Sequence, residues 1–137
     1  MGNEISKIKR MSFEDIQELQ KFENYILINT MPVSDQGCLI KGTVSINDEV
    51  TKVERIKLTG GSIVIYGKNG NDISIYNKYS QLIKLGYRNV YLYIGGIFEW
   101  LCLQDIYGYE NFPTTKKELD ILKYKPQSVL KTLLLTN

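Results

Sequence analysis

Two thiols, Cys38 and Cys102, are the strongest nucleophiles this chain carries, and no histidine accompanies them. Thiol chemistry depends on the thiolate, so a reactive cysteine needs a neighbouring cation, an acceptor base or aligned N–H groups. Without histidine, a Ser-His or Cys-His nucleophile, a histidine acid/base and a histidine-ligated metal are all excluded. The two cysteines lack metal-ligand spacing, so no metal and no other cofactor is expected. A second chemical signal lies at the start of the chain. Met1-Gly2-Asn3-Glu4-Ile5-Ser6 fits the N-myristoylation pattern, in which Gly2 becomes terminal and Ser6 supplies the small hydroxyl residue. One acyl chain holds a membrane with an association constant on the order of 10⁴ M⁻¹, so stable anchoring needs a second signal. Lys7, Lys9 and Arg10 follow at once, each contributing about 1 kcal/mol near an anionic leaflet, partly offset by Glu4.

These residues must be positioned by a folded scaffold. A chain of 137 residues is one domain with short extensions, and its 43% hydrophobic and 23% charged composition argues against disorder. A net charge of +2 with no long basic run gives no footprint for nucleic acid. No apolar run approaches the length of a membrane span, and the N-terminus lacks the apolar core of a secretion signal. Both thiols are therefore expected to be reduced in a cytoplasmic setting. The absence of alanine beside abundant Ile, Asn, Lys and Tyr suggests an AT-rich coding genome, such as that of a protist or a large DNA virus.

Ser12-Phe13-Glu14-Asp15 reads as a helix start, with Leu19 and Phe22 facing the core. Tyr25 to Asn29 reads as a buried strand ended by Met31-Pro32, and Val44 to Ile46 as a short strand. Asn47-Asp48 then caps a charged helix over residues 49–57. Ser62 to Tyr66 is apolar on both faces, as a central parallel strand must be. After the loop Gly67 to Asp72, Ile75, Tyr79, Leu82 and Ile83 recur at helical spacing, and Gly86 caps that helix. Val90 to Ile94 is the next strand. Gly95-Gly96 reverses the chain into a helix carrying Trp100, the only tryptophan. Thr115 to Glu118 fits a capping box, and Val129, Leu130, Leu133 and Leu134 mark a final amphipathic segment packed on the domain. Strands alternating with helices indicate an α/β sandwich around a mainly parallel sheet.

The stretch from Leu82 to Trp100 resembles the closing segment of a rhodanese-like domain, the sulfurtransferase fold. The resemblance covers about Ser12 to Trp100. Tyr25 to Met31 stands where that family has an apolar strand ending in Asp-x-Arg, with Asn29 for the acid and Met31 for the arginine. Cys38 to Ile46 matches the Gly-His-Ile-x-Gly-Ala segment at Ile40 and Gly42, with Leu39 in place of the histidine. The resemblance implies a three-layer α/β/α sandwich with a C-terminal helical extension. Its boundaries are a tail over 1–11, the domain over 12–103 and the extension over 104–137.

In that family the residue ending the central strand is the nucleophilic cysteine, and the loop after it holds an anion or persulfide on its N–H groups. Here that position is Gly67, and the last loop position, commonly arginine, is Asp72. Glycine can neither attack nor carry sulfur. The resemblance thus implies no enzyme, but an inactive domain binding or scaffolding a protein partner, with a membrane surface as a further partner through the N-terminus. Two alternatives accompany it. Cys38 serves as the sulfur carrier of an active sulfurtransferase, or Lys68, Asn69, Gly70 and Asn71 form a small-anion sensor.

Overall fold

A computed structural model describes residues 7–136. Four strands form one parallel sheet: β1 (Lys9–Met11), β2 (Tyr25–Asn29), β3 (Ser62–Tyr66) and β4 (Val90–Tyr93), in the order β1-β4-β3-β2. The helices are α1 (Phe13–Leu19), α2 (Glu49–Thr59), α3 (Ser74–Lys84), α4 (Gly96–Tyr107) and α5 (Val129–Thr136), with 3₁₀ turns at Val33–Asp35 and Ile121–Tyr124. Strand alternation divides the interior in two. Leu27, Val64, Tyr66 and Tyr93 face α1 and α4, which contribute Ile16, Leu19, Ile97, Trp100 and Leu101. Ile26, Ile28, Ile63, Ile65 and Leu92 face α2 and α3, which contribute Val53, Ile56, Ile75 and Leu82. The result is the expected three-layer sandwich. Central strand β3 is buried on both faces, as its unbroken apolar run requires.

Local chemistry accounts for the element ends. Ser12 and Asp15 form a reciprocal capping box at α1. Gly60 ends α2 in the left-handed region at φ 68°. The Val44 to Ile46 strand reduces to a single parallel bridge between Thr43 and Leu27 at the outer edge of β2. That segment is tied to the end of β3 instead. The Tyr66 hydroxyl accepts the Ile40 N–H at 3.1 Å and lies 2.7 Å from the Thr43 hydroxyl.

Several expectations are corrected. Lys9 to Met11, read as tail, is the edge strand β1. Phe22 is exposed rather than in the core. Thr115 starts no helix: its hydroxyl accepts the Leu39 N–H at 3.0 Å, and its own N–H donates to the Leu39 carbonyl at 2.8 Å. A cross-chain pairing beside the Ile40–Thr114 bridge has taken the groups that a helix would use. Helix α4 runs through residues 103 and 104, and the chain after it packs through buried Phe112, Thr114 and Tyr124. The Trp100 indole donates to the Pro113 carbonyl at 3.1 Å. In α5, by contrast, Val129, Leu130, Leu133 and Leu134 are exposed instead of packed on the domain. No helix among the described residues is long and apolar enough to cross a membrane.

Candidate functional site

The loop of Gly67 to Asp72 leaves the C-terminal end of the central strand and enters α3, where a parallel sheet places its ligand crevice. The N–H groups of Lys68, Asn71 and Asp72 are engaged from within. The Lys68 N–H donates to Asp72 Oδ2 at 2.9 Å. The Ser74 N–H and hydroxyl donate to Asp72 Oδ1 at 3.0 and 2.6 Å. The Asn71 N–H donates to Asn69 Oδ1 at 2.9 Å, and the Asp72 N–H to the Asn69 carbonyl at 3.1 Å. The Lys68 and Ser74 donors, which suit an external anion, are thus turned onto the Asp72 carboxylate. Burial pushes the Asp72 carboxyl up. The Lys68 and Ser74 donors, with the Lys68 ammonium, outweigh it and hold the group below the usual carboxylate range.

Gly67 is buried, and the space beside it is taken. A Cβ there would stand 2.4 Å from Asp72 Oδ2, 2.9 Å from Asp72 Cγ and 3.1 Å from Ile75 Cγ2. Its φ is not positive, so the obstruction is the neighbouring side chain and not the backbone. The carboxylate lies where a side chain on residue 67 would begin.

The Gly-Gly turn after β4 presses on the same loop from below. Gly96 has φ +67°, and a Cβ on it would stand 2.5 Å from the Gly67 carbonyl oxygen and 2.8 Å from the Lys68 carbonyl carbon. Backbone therefore meets backbone, and the Ile97 and Phe98 N–H groups donate to the Gly67 and Lys68 carbonyls at 3.0 and 2.8 Å. The first turn of α4 fixes the Gly67 and Lys68 carbonyls, while Asp72 takes the Lys68 and Ser74 N–H groups.

The flanking positions are neutral or already paired. Asn29 is buried. Its side-chain oxygen accepts the Met31 N–H at 3.0 Å and the Gln36 amide at 2.7 Å, and its own amide donates to Gln36 at 3.1 Å. Met31 is a buried apolar residue of the core that faces α1 and α4. Lys68 forms an ion pair with Asp35 at 3.1 Å. Sequence reasoning singled out neither Gln36 nor Thr30, whose hydroxyl lies 2.6 Å from that of Ser74. Their polar character is common in loops, and only the folded path brings them to the site.

An open cleft of about 830 Å³ lies above the loop, with Thr30, Lys68, Asn71 and Asp72 on one side and Lys123 and Lys125 on the other. The C-terminal segment forms that second wall and is pinned there by the buried Asn69, whose amide donates to the Tyr124 carbonyl at 2.8 Å. The Glu118 carboxylate, 2.6 Å from the Lys123 ammonium, holds that group above the ordinary lysine value. Neither cysteine lines the cleft. Cys38 is buried, donates its S–H to the Lys116 carbonyl at 3.3 Å, and has its thiol pushed up by burial. Burial also pushes up the Cys102 thiol, with Asp105 and Glu99 adding to the effect. Among the described residues, no group of three His, Cys, Asp or Glu side chains could hold a metal ion.

Gly2 falls outside the described residues. Lys9 and Arg10 point to opposite faces: Lys9 stands 5.6 Å over the Tyr91 ring, and Arg10 lies with Lys7 on the α3 side.

A family model for the rhodanese-like domain matches residues 12–102. No curated protein matches the chain. The BH2092 protein of Bacillus halodurans is similar in structure, with a TM-score of 0.61 at 20% identity over 97% of this chain and 94% of that one. The Alr3790 protein of Anabaena sp. gives 0.52 at 17% identity, over 82% and 86% of the two chains. The As-Sb reductase of Leishmania major gives 0.56 at 14% identity, over 95% and 99%. At these identities the neighbours share the fold alone. Together with the all-parallel sheet and the loop ending its central strand, the match over residues 12–102 places the sequence: this chain belongs to the rhodanese-like domain family.

Proposed function

We propose that this chain is a rhodanese-like domain without sulfur-transfer activity, working as a binding or scaffolding module. The observation that carries the reading is the Asp72 carboxylate seated against Gly67, on the donors that would otherwise receive an anion. Sulfur transfer needs a thiolate that attacks the donor and then holds the sulfane sulfur. Gly67 supplies none, and a carboxylate beside it repels both the donor anion and a persulfide. The buried, proton-holding Cys38 argues against its use as a substitute carrier. The Lys68 and Asn71 N–H groups are taken up within the loop, which argues against a free anion sensor at Lys68 to Asn71.

A transfer assay with thiosulfate or mercaptopyruvate as donor and cyanide or a thiol as acceptor tests the reading. Turnover is expected to equal that of buffer for wild type and for Cys38→Ser. Turnover that disappears in Cys38→Ser would overturn the proposal. As the tether of the module we propose N-myristoylation at Gly2, supported by the Met1 to Ser6 pattern and the adjoining Lys7, Lys9 and Arg10. Protein made in a eukaryotic host is expected to lose Met1 and gain one myristoyl group by intact mass. An unmodified Gly2 refutes the tether.

A further inference from the structure

A second groove, of about 680 Å³, runs between edge strand β1 and helix α3, away from the loop. Ile8, Tyr79 and Ile83 give it an apolar floor, and its charged groups are Lys7, Arg10 and Lys84. Among the described residues no carboxylate lines it, and none pairs with these three cations. The groove also borders an open sheet edge. β1 pairs with β4 on one side only, in the register Lys9 to Tyr91 and Arg10 to Leu92, and turns the Ile8 and Arg10 face toward α3.

An edge strand beside an apolar groove accepts an extended segment by strand addition: backbone bonds supply affinity, and alternate side chains enter the groove. We propose that this edge and groove bind an acidic peptide segment of a partner protein as an added strand. Its backbone pairs with Lys9 to Met11, and every second side chain faces the groove, apolar ones resting on Ile8, Tyr79 and Ile83 and acidic ones meeting Lys7, Arg10 and Lys84. The same charges select against a second copy of this chain, because two basic edges repel. The inference rests on the binding-module reading and gives that module a surface and a partner chemistry.

The test uses the full chain and a fluorescein-labelled heptapeptide, Glu-Thr-Val-Thr-Val-Thr-Glu, whose odd positions share one strand face, followed by anisotropy and by amide shifts in ¹⁵N-labelled protein. Saturable binding is expected, with shifts at Lys9 to Met11 and along Tyr76 to Lys84. Affinity is expected to fall at least about tenfold in Arg10→Glu/Lys84→Glu, both exposed positions whose reversal leaves the core intact. The same peptide with lysine in place of glutamate, or the acidic peptide N-methylated on the alternate amides that face β1, is expected to lose binding. Four results would overturn the proposal. These are no binding up to about 1 mM peptide, binding unchanged in the double variant, self-association through this edge, and phosphatidylserine-vesicle binding lost in the double variant without any peptide response. Sulfur transfer by the wild-type chain would remove the inactivity reading and leave peptide binding standing, so the two failures are distinguishable.

Discussion

Replacing Gly67 with cysteine puts a Cβ 2.4 Å from Asp72 Oδ2, a separation that real Cβ atoms do not tolerate. Either the loop spreads, at the usual overpacking cost of about 1–3 kcal/mol, or the carboxylate leaves its donors. Each hydrogen bond to a charged acceptor contributes about 1.5–3 kcal/mol, so complete expulsion costs more than spreading. Gly67→Cys is therefore expected to destabilise the chain by about 2–3 kcal/mol, a Tm loss of about 6–12 °C for a domain of this size. In an Asp72→Ala background both carboxylate contacts vanish, and only Ile75 Cγ2 at 3.1 Å remains to give way. The same cysteine should then cost less than about 1 kcal/mol, which makes the coupling between the two positions at least about 1 kcal/mol. Urea unfolding of wild type, both single variants and the double variant at neutral pH measures it. The double variant also frees the Lys68 and Ser74 donors, so its introduced thiol should titrate lower and alkylate faster than that of Gly67→Cys alone. Additive stabilities, within about 0.3 kcal/mol, would refute the seating of Asp72 against Gly67.

Two further outcomes follow from the same geometry. The Asp72 carboxyl titrates lower in the folded chain than in the unfolded one, so the folded state binds fewer protons in acid. The stability that wild type holds over Asp72→Asn should be complete above about pH 5 and shrink as pH falls through the folded value. A difference that grows in acid would reverse the sign. Gly96→Ala combines a positive φ with a Cβ 2.5 Å from the Gly67 carbonyl oxygen, and should cost about 3 kcal/mol or more by thermal or urea unfolding. A loss below about 1 kcal/mol would show that α4 and the loop are not in backbone contact.

The elements legible in the sequence were those whose apolar pattern exceeds what a loop would carry. β2, β3 and β4 announce themselves by unbroken apolar runs, and Ser12 with Asp15 marks the start of α1. β1 has no such pattern: Lys9 and Arg10 are charged because an edge strand keeps both exposed. The apparent capping box at Thr115 shows the opposite failure, since its local signal is real but Leu39, far away in sequence, claims the same groups. Phe22, Leu130, Leu133 and Leu134 look like core by composition, and nothing in their spacing reveals that they remain exposed. At the site, the positions of Gly67, Asp72, Met31 and Asn29 were readable through family resemblance. The seating of Asp72 on Lys68 and Ser74 was not, because it depends on side-chain directions fixed only when Gly96 and α3 close on the loop.

Sulfur carriage itself is the quantity to measure. The full chain, reduced and then exposed to excess thiosulfate, can be mapped by peptide mass spectrometry after trapping of persulfides. An inactive domain should carry no sulfane sulfur at Cys38 or Cys102, matching a Cys38→Ser sample treated in parallel. One added sulfur atom at Cys38, labile to cyanide and absent from the variant, would mean that the chain transfers sulfur after all.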